Sequence, residues 1–515
     1  MSDQIQSRPT GAAWTAFIIV VAISLLSTFT INNPNEISAT GPAQPFTAEG
    51  PTGEGLTDGA DPSAPQGPSS RRVIVDGQEG VDGTSASEIG GDADSLGAKG
   101  RADCAKGENA GASDKGISDN EIRLAATVVK SGPAKSFLAD AQFGIEAVRR
   151  KVNASGGICG RTLKIDYQDD GWDQTAGAGI ITKWIGEGNH FALIVNPSSE
   201  GLRSVQKRGG AIEQNEFPVV GADGMLIGQY RNPWIWPVAA STHSVMHVMA
   251  QDAASRGAKT FAIVWETNYR FGKEGSDAFK QVVNKHCPGC TLVADKGING
   301  GQSSYKNDAN DFVGDCTDQK TFDKCDFVAV LLEPATAAQW VKDNGLGSGD
   351  DKPERGIGAP QPLFVDEFVR DNCGKPCAGM WVWTSFKPPI APFDTEEAVT
   401  TYVNDVRAVS TSADVNNPHV QGAYVGASLL VEALRQLGPA PTRAALKQLL
   451  DQMTFDSKLG QPLTFSADNH FAAISAQPFE AVYNITGSGA TFSSWRHVKD
   501  FLDDPYVTEA LPSDE

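Results

Sequence analysis

From Ile117 onward, short apolar runs alternate with apolar residues at helical spacing, and this alternation restricts the chain to a doubly wound parallel α/β fold. A first set predicts strands at 122–129, 163–170, 191–196 and 217–222, with helices at 138–152, 175–186 and 198–214 between them. The run Asn153, Ala154, Ser155, Gly156, Gly157 ends the first of these helices with a turn. A second set predicts helices at 245–256, 272–285 and 335–344 and strands at 260–266, 291–295, 327–332 and 362–365. Two sets in succession predict two similar α/β lobes. Further helices are expected at 395–410, 419–437 and 442–453, then a late strand at 479–485 and an acidic, frayed tail. No internal repeat of fixed period is present.

Ahead of this region lie two segments of different texture. No charge occurs between Arg8 and Glu36, and residues 11–31 are an apolar run. A helix of that length spans the roughly 30 Å hydrocarbon core of a bilayer. A cleaved signal would be shorter, with a small-residue cleavage site close behind. The nearest such site, Gly41-Pro-Ala43, lies well downstream. An uncleaved single-pass anchor is therefore favoured over a cleaved signal. Residues 1–10 form its short cytoplasmic tail, and the rest of the chain lies outside the cell. Residues 32–116 contain 23 Gly and Pro among 85 positions and one aromatic, Phe46. Such a segment buries too little apolar surface to offset its ordering entropy, so it reads as a disordered linker. Over the whole chain 63 acids oppose 43 bases, a formal charge of −20. That sign argues against nucleic acid and leaves a small or cationic ligand open.

Eight cysteines beyond an export segment suggest disulfides. Spacing pairs Cys287 with Cys290, Cys316 with Cys325 and Cys373 with Cys377, leaving Cys104 for Cys159. Zinc is the rival for His286, Cys287 and Cys290, but a second closely spaced Cys/His pair is missing. A thioredoxin-like pair would open a helix after a strand, whereas Cys287 and Cys290 follow a helix and precede a strand. His243 and His247 are one helical turn apart without a carboxylate at metal spacing, so they are expected to cap or pack. No metal site and no cofactor are predicted.

An ordered series of short matches then carries a resemblance. It begins with Gly116-Ile-Ser-Asp-Asn-Glu-Ile-Arg-Leu124, Lys130-Ser-Gly-Pro133 and Asn153-Ala-Ser-Gly-Gly-Ile-Cys-Gly-Arg161. It continues through Tyr167-Gln-Asp-Asp170, Pro197-Ser-Ser199, Phe217-Pro-Val-Val220, Gly257-Ala-Lys-Thr260, Phe271-Gly272 and Gly379-Met-Trp-Val-Trp383, and ends in 419–438. Covering roughly 117–500, the series resembles the extracytoplasmic solute-binding proteins of the Leu/Ile/Val-binding type, which serve ABC transporters. The resemblance implies a type I periplasmic-binding fold over 117–505, with two lobes joined by three crossings. Lobe 1 is expected at about 118–238 and 388–465, and lobe 2 at about 239–387 and 466–505.

In open parallel sheets ligands bind at the carboxyl ends of the strands. There the sequence places Ser198 and Ser199, which suit an electronegative ligand group or simply cap a helix. Asp223 follows the fourth strand and could accept an ammonium. The family's Thr is missing at that turn, which speaks against an ordinary amino acid. Phe271 stands where the family has a ligand-closing Tyr, and Tyr269 lies two residues earlier. Glu333, Asp366 and Glu367 end later strands, and Phe137 is either an aromatic wall or core. These carboxylates point to a ligand with a cationic or polyhydroxy part.

No nucleophile elbow, phosphate loop, zincin helix or dinucleotide fingerprint is present. The expected function is therefore binding. The chain would act as a monomeric clamp for a small polar solute, an amino acid or a related compound, and deliver it by hinge closure to the permease subunits of an ABC transporter. A sensory ectodomain with a separate signalling partner is the second reading. An enzyme using Asp223 and Glu367 as an acid/base pair is the third.

Overall fold

Two separate sheets carry the architecture. The computed structural model describes residues 109–306, 325–344, 356–486 and 489–509, and a two-residue ladder between Ile74–Val75 and Gln78–Glu79. In the first sheet, β1 (Glu121–Val128), β2 (Thr162–Asp169), β3 (Leu193–Asn196), β4 (Val219–Ala222) and β5 (Ile235–Pro237) lie in the order β2-β1-β3-β4-β5, all parallel. The second sheet contains β6 (Thr260–Glu266), β7 (Thr291–Ile298), β8 (Phe327–Leu331), β9 (Ile357–Pro360) and β10 (Trp381–Thr384) in parallel. Its edge is antiparallel: β11 (Ser475–Thr486) pairs with β10, and β12 (Gly489–His497) with β11. The order is β12-β11-β10-β9-β8-β6-β7.

Helices cover both sheets, and their ends follow local chemistry. After α1 (Ala141–Ala154), α2 (Gln174–Glu187) starts where Asp173 accepts hydrogen bonds from Thr175 N and Ala176 N. It stops at Gly188, whose φ of 63° favours glycine. In the second half, Ser241 caps α4 (Thr242–Ser255), followed by α5 (Arg270–Gln281) and α6 (Pro334–Asn344). The chain then returns to the first sheet through α7 (Glu397–Arg407), α8 (Pro418–Leu437) and α9 (Arg443–Leu450). Helix α8 lies against α1, β3 and β4. It comes so close that a Cβ at Gly426 would fall 2.6 Å from Gly221 Cα. In the second half, Phe261, Phe279 and Phe327 pack together fully buried, each contributing roughly 1.5–3 kcal/mol by leaving water.

The structure corrects several expectations. Residues 198–214 do not form one helix: α3 (Ser199–Leu202) and a turn of helix at Ala211–Gln214 flank an irregular stretch that includes Gly209 at φ 71°. The strand expected at 362–365 lies earlier, at β9, because Pro362 cannot donate to a ladder and Gln361–Leu363 form a 3-10 turn. β5, β10 and β12 stand where the sequence predicts no strand. The predicted linker ends sooner than Gly116. Ala110 N donates to Pro439 O at 3.1 Å, and Asp114 accepts from Arg443 N at 2.7 Å, so these residues are part of the fold.

Cys287 is bonded to Cys290 and Cys373 to Cys377, and Cys159 and Cys325 are also disulfide-bonded. Cys104 and Cys316 lie outside the described residues, as does the apolar run at 11–31. Among the described residues no helix is long and apolar enough to cross a membrane.

Candidate functional site

The carboxyl ends of five strands converge on acids and hydroxyls. Asp170 follows β2, Ser198 and Ser199 follow β3, Asp223 follows β4, Glu266 ends β6 and Glu333 follows β8. All are buried. Asp170 accepts from Trp172 N at 2.9 Å and receives the Ser198 and Thr127 hydroxyls. Burial still pushes its carboxyl up to about 6. Burial lifts Asp223 to about 8, and the nearby Asp170 charge adds to the shift. Glu266 also rises to about 8 through burial, with the Glu333 charge pushing the same way. Asp223 in turn accepts from Met225 N, Gly224 N and the Gln229 amide. Among the described residues no ion pair joins these four acids to a base.

Aromatic rings close this crevice. Trp172 is buried at φ 62°, a backbone region that bulky residues avoid and that tends to persist at functional sites. Its ring centroid lies 4.3 Å from that of Tyr269 in the second half, the planes tilted by 40°, 5.9 Å from Phe271 and 5.8 Å, edge-on, from Phe137. Burial, then the charges of Glu266, Glu333 and Glu200, raise the Tyr269 hydroxyl to about 12. Two further links bridge the halves: Arg270 N donates to Glu200 Oε1 at 2.9 Å, and Ile227 N to Glu274 Oε2 at 2.9 Å.

The predicted site residues thus separate into groups. Ser198, Ser199, Asp223, Tyr269, Phe271 and Phe137 belong to the inner crevice. Ser198 caps α3 by accepting from Gly201 N at 3.2 Å, and Asp170 brings negative charge to the turn where an electronegative ligand group was expected. Glu333 is a helix cap: its oxygens accept from Ala335 N at 2.8 Å and Thr336 N at 2.6 Å. Asp366 and Glu367 line an outer cavity of about 730 Å³ together with Asp140, Asp414 and Asn417. Asp366 there accepts from Trp495 Nε1 at 3.0 Å and Asn416 Nδ2 at 3.1 Å, while Glu367 is exposed. A separate groove of about 940 Å³, lined by bases such as Arg203, Lys207 and Arg231, contains none of the predicted residues.

Sequence reasoning missed Trp172, Asp170 and Glu266 as site residues. The signal available was position: each stands at or just past the end of a strand. It also missed a carboxylate for the histidine pair, because Asp504 reaches His243 and His247 only through the fold.

A family model described as periplasmic binding protein matches residues 121–482. The chain belongs to the periplasmic binding protein family. Solved structures agree on a type I periplasmic-binding fold. A fatty acid ABC transporter substrate-binding protein from Thermomonospora curvata is 17% identical with a TM-score of 0.61, covering 77% of this chain and 96% of that one. A branched-chain amino acid transporter substrate binding protein from Streptococcus pneumoniae, solved with isoleucine, is 16% identical at TM-score 0.59, covering 74% and 100%. An ABC transporter substrate binding protein from Aeropyrum pernix is 14% identical at TM-score 0.60, covering 76% and 98%. No curated protein matches the chain. Periplasmic binding proteins hold a solute between hinged halves, and the Trp172–Tyr269 contact described above joins the two halves of this one.

Proposed function

We propose that this chain is the extracytoplasmic substrate-binding component of an ABC transporter, and that its solute is small, polar and positively charged. It acts as a monomer, is anchored through residues 11–31 and hands solute to a membrane permease. It catalyses no reaction. The observation that carries the ligand's sign is the set of buried carboxylates Asp170, Asp223 and Glu266, none of which is in an ion pair among the described residues. An ammonium would add charge-assisted hydrogen bonds and favour the ionised carboxylates. Closure then follows from differential affinity, because solute touches both halves only when they are shut.

Native mass spectrometry of the purified full chain, followed by calorimetry with amines, amino acids and sugars, tests this. Stoichiometric binding of an amine that is recovered unchanged is expected. Binding only to anionic or neutral solutes would remove the charge assignment, and conversion of the solute would remove the binding role itself.

A further inference from the structure

His243 and His247 stand one turn apart on α4, and Asp504 reaches them from the C-terminal segment. All three are buried, and one ligating atom from each lies within 4.8 Å of the others. The hydrogen bonds around His247 restrict what the cluster can hold. His247 Nε2 lies 3.0 Å from Gln281 Oε1, and Gln281 Nε2 donates to Glu509 Oε2 at 2.9 Å. Turning the Gln281 amide over would set its oxygen against the Glu509 carboxylate. His247 Nε2 therefore carries the hydrogen and donates to Gln281. In a neutral imidazole the lone pair is then on Nδ1, which faces the two Asp504 oxygens at 3.0 and 3.1 Å. A lone pair against a carboxylate is repulsive, so a cation must stand between them.

A proton would serve, and so would a metal ion. His243 separates the two. A proton needs only His247 and Asp504, whereas a second imidazole with a nitrogen within 4.8 Å of the other two ligand atoms completes the two-nitrogen, one-carboxylate donor set of a zinc site. Gln281 is the outer partner that fixes the ligand's tautomer, a role metal-bound histidines generally require. We propose that His243, His247 and Asp504 bind a zinc-class divalent cation that ties the C-terminal segment to α4. His243 now contacts Ser241 Oγ through Nδ1 and Val507 O, at 3.2 Å, through Nε2. On binding it exchanges one of these contacts for the metal. The segment is already held in place: Tyr506 stacks on His286 at 3.7 Å, and Asp504 N donates to Ile474 O at 2.9 Å.

The test uses the untagged full chain, stripped with chelator and titrated with zinc and, separately, with cobalt(II) as a spectroscopic probe. One zinc ion per chain and the visible absorption of four-coordinate cobalt are expected. Asp504→Asn abolishes both while keeping the side-chain shape, and Gln281→Leu weakens zinc about 10–100-fold. Should Asp504→Asn fail to fold, His243→Asn reads the same loss and leaves the His247–Gln281 bond intact. A chain that takes up no zinc, or whose zinc survives these substitutions, overturns the site. A proton then holds the junction, and nitrogen-15 NMR would show His247 protonated on both nitrogens.

Discussion

Trp172 and Tyr269 bring their rings to 4.3 Å across the crevice, joining the turn after β2 to the start of α5. With the Glu200–Arg270 and Glu274–Ile227 hydrogen bonds, this contact joins the two halves. Under the proposed closing mechanism, a change at this junction alters the shut form and so the affinity for solute.

Tyr269→Ala removes one ring of the pair. An aromatic pair contributes about 0.5–1.5 kcal/mol beyond its buried area, so solute affinity is expected to fall roughly two- to tenfold. Tyr269→Phe keeps the ring and retains affinity. Calorimetry of both variants checks this, and equal losses would assign the effect to the hydroxyl instead.

Asp223 and Glu266 make the solute-free protein sensitive to alkali. Burial holds both carboxyls at about 8, against roughly 3.9–4.3 in an unfolded chain. Between those values the folded chain keeps protons that the unfolded chain has released. Their contribution is therefore fully present near pH 4 and is lost as pH rises towards about 8. Melting temperature should decline across that window, and Asp223→Asn should flatten the decline. Binding of a cationic solute should release protons, seen as a buffer-dependent heat.

His419 acts with the opposite sign. Burial holds its imidazole down at about 3, and its Nε2 has no hydrogen-bond partner. The unfolded residue takes up a proton below roughly pH 6.5, so stability falls as pH drops from there towards about 3. In His419→Phe this acid limb should shrink. An unchanged acid profile would locate the acid sensitivity elsewhere.

Gly426 sets how closely α8 approaches β4. A methyl group there would meet Gly221 Cα at 2.6 Å and Gly221 O at 3.1 Å, backbone atoms that cannot rotate away. Gly426→Ala should cost about 1–3 kcal/mol, as overpacking does, measured by denaturant unfolding. A neutral result would mean that the helix shifts without penalty.

Periodicity alone determined most of the architecture. β1 and β6 carry apolar runs flanked by turns, and α8 repeats its apolar face over twenty residues, so each announces itself locally. Three- and four-residue strands such as β5 and β10 do not, because their identity comes from the ladder they join. The strand-end rule likewise led from sequence to Ser198 and Asp223, since it needs only the order of strands. Only the tertiary structure decided that Trp172 packs on Tyr269 of the other half, that Glu333 caps a helix, and that Asp504 meets His247 from 257 residues away. Side-chain periodicity is written over a few neighbouring residues, whereas burial and unpaired charge depend on what the fold brings from far along the chain.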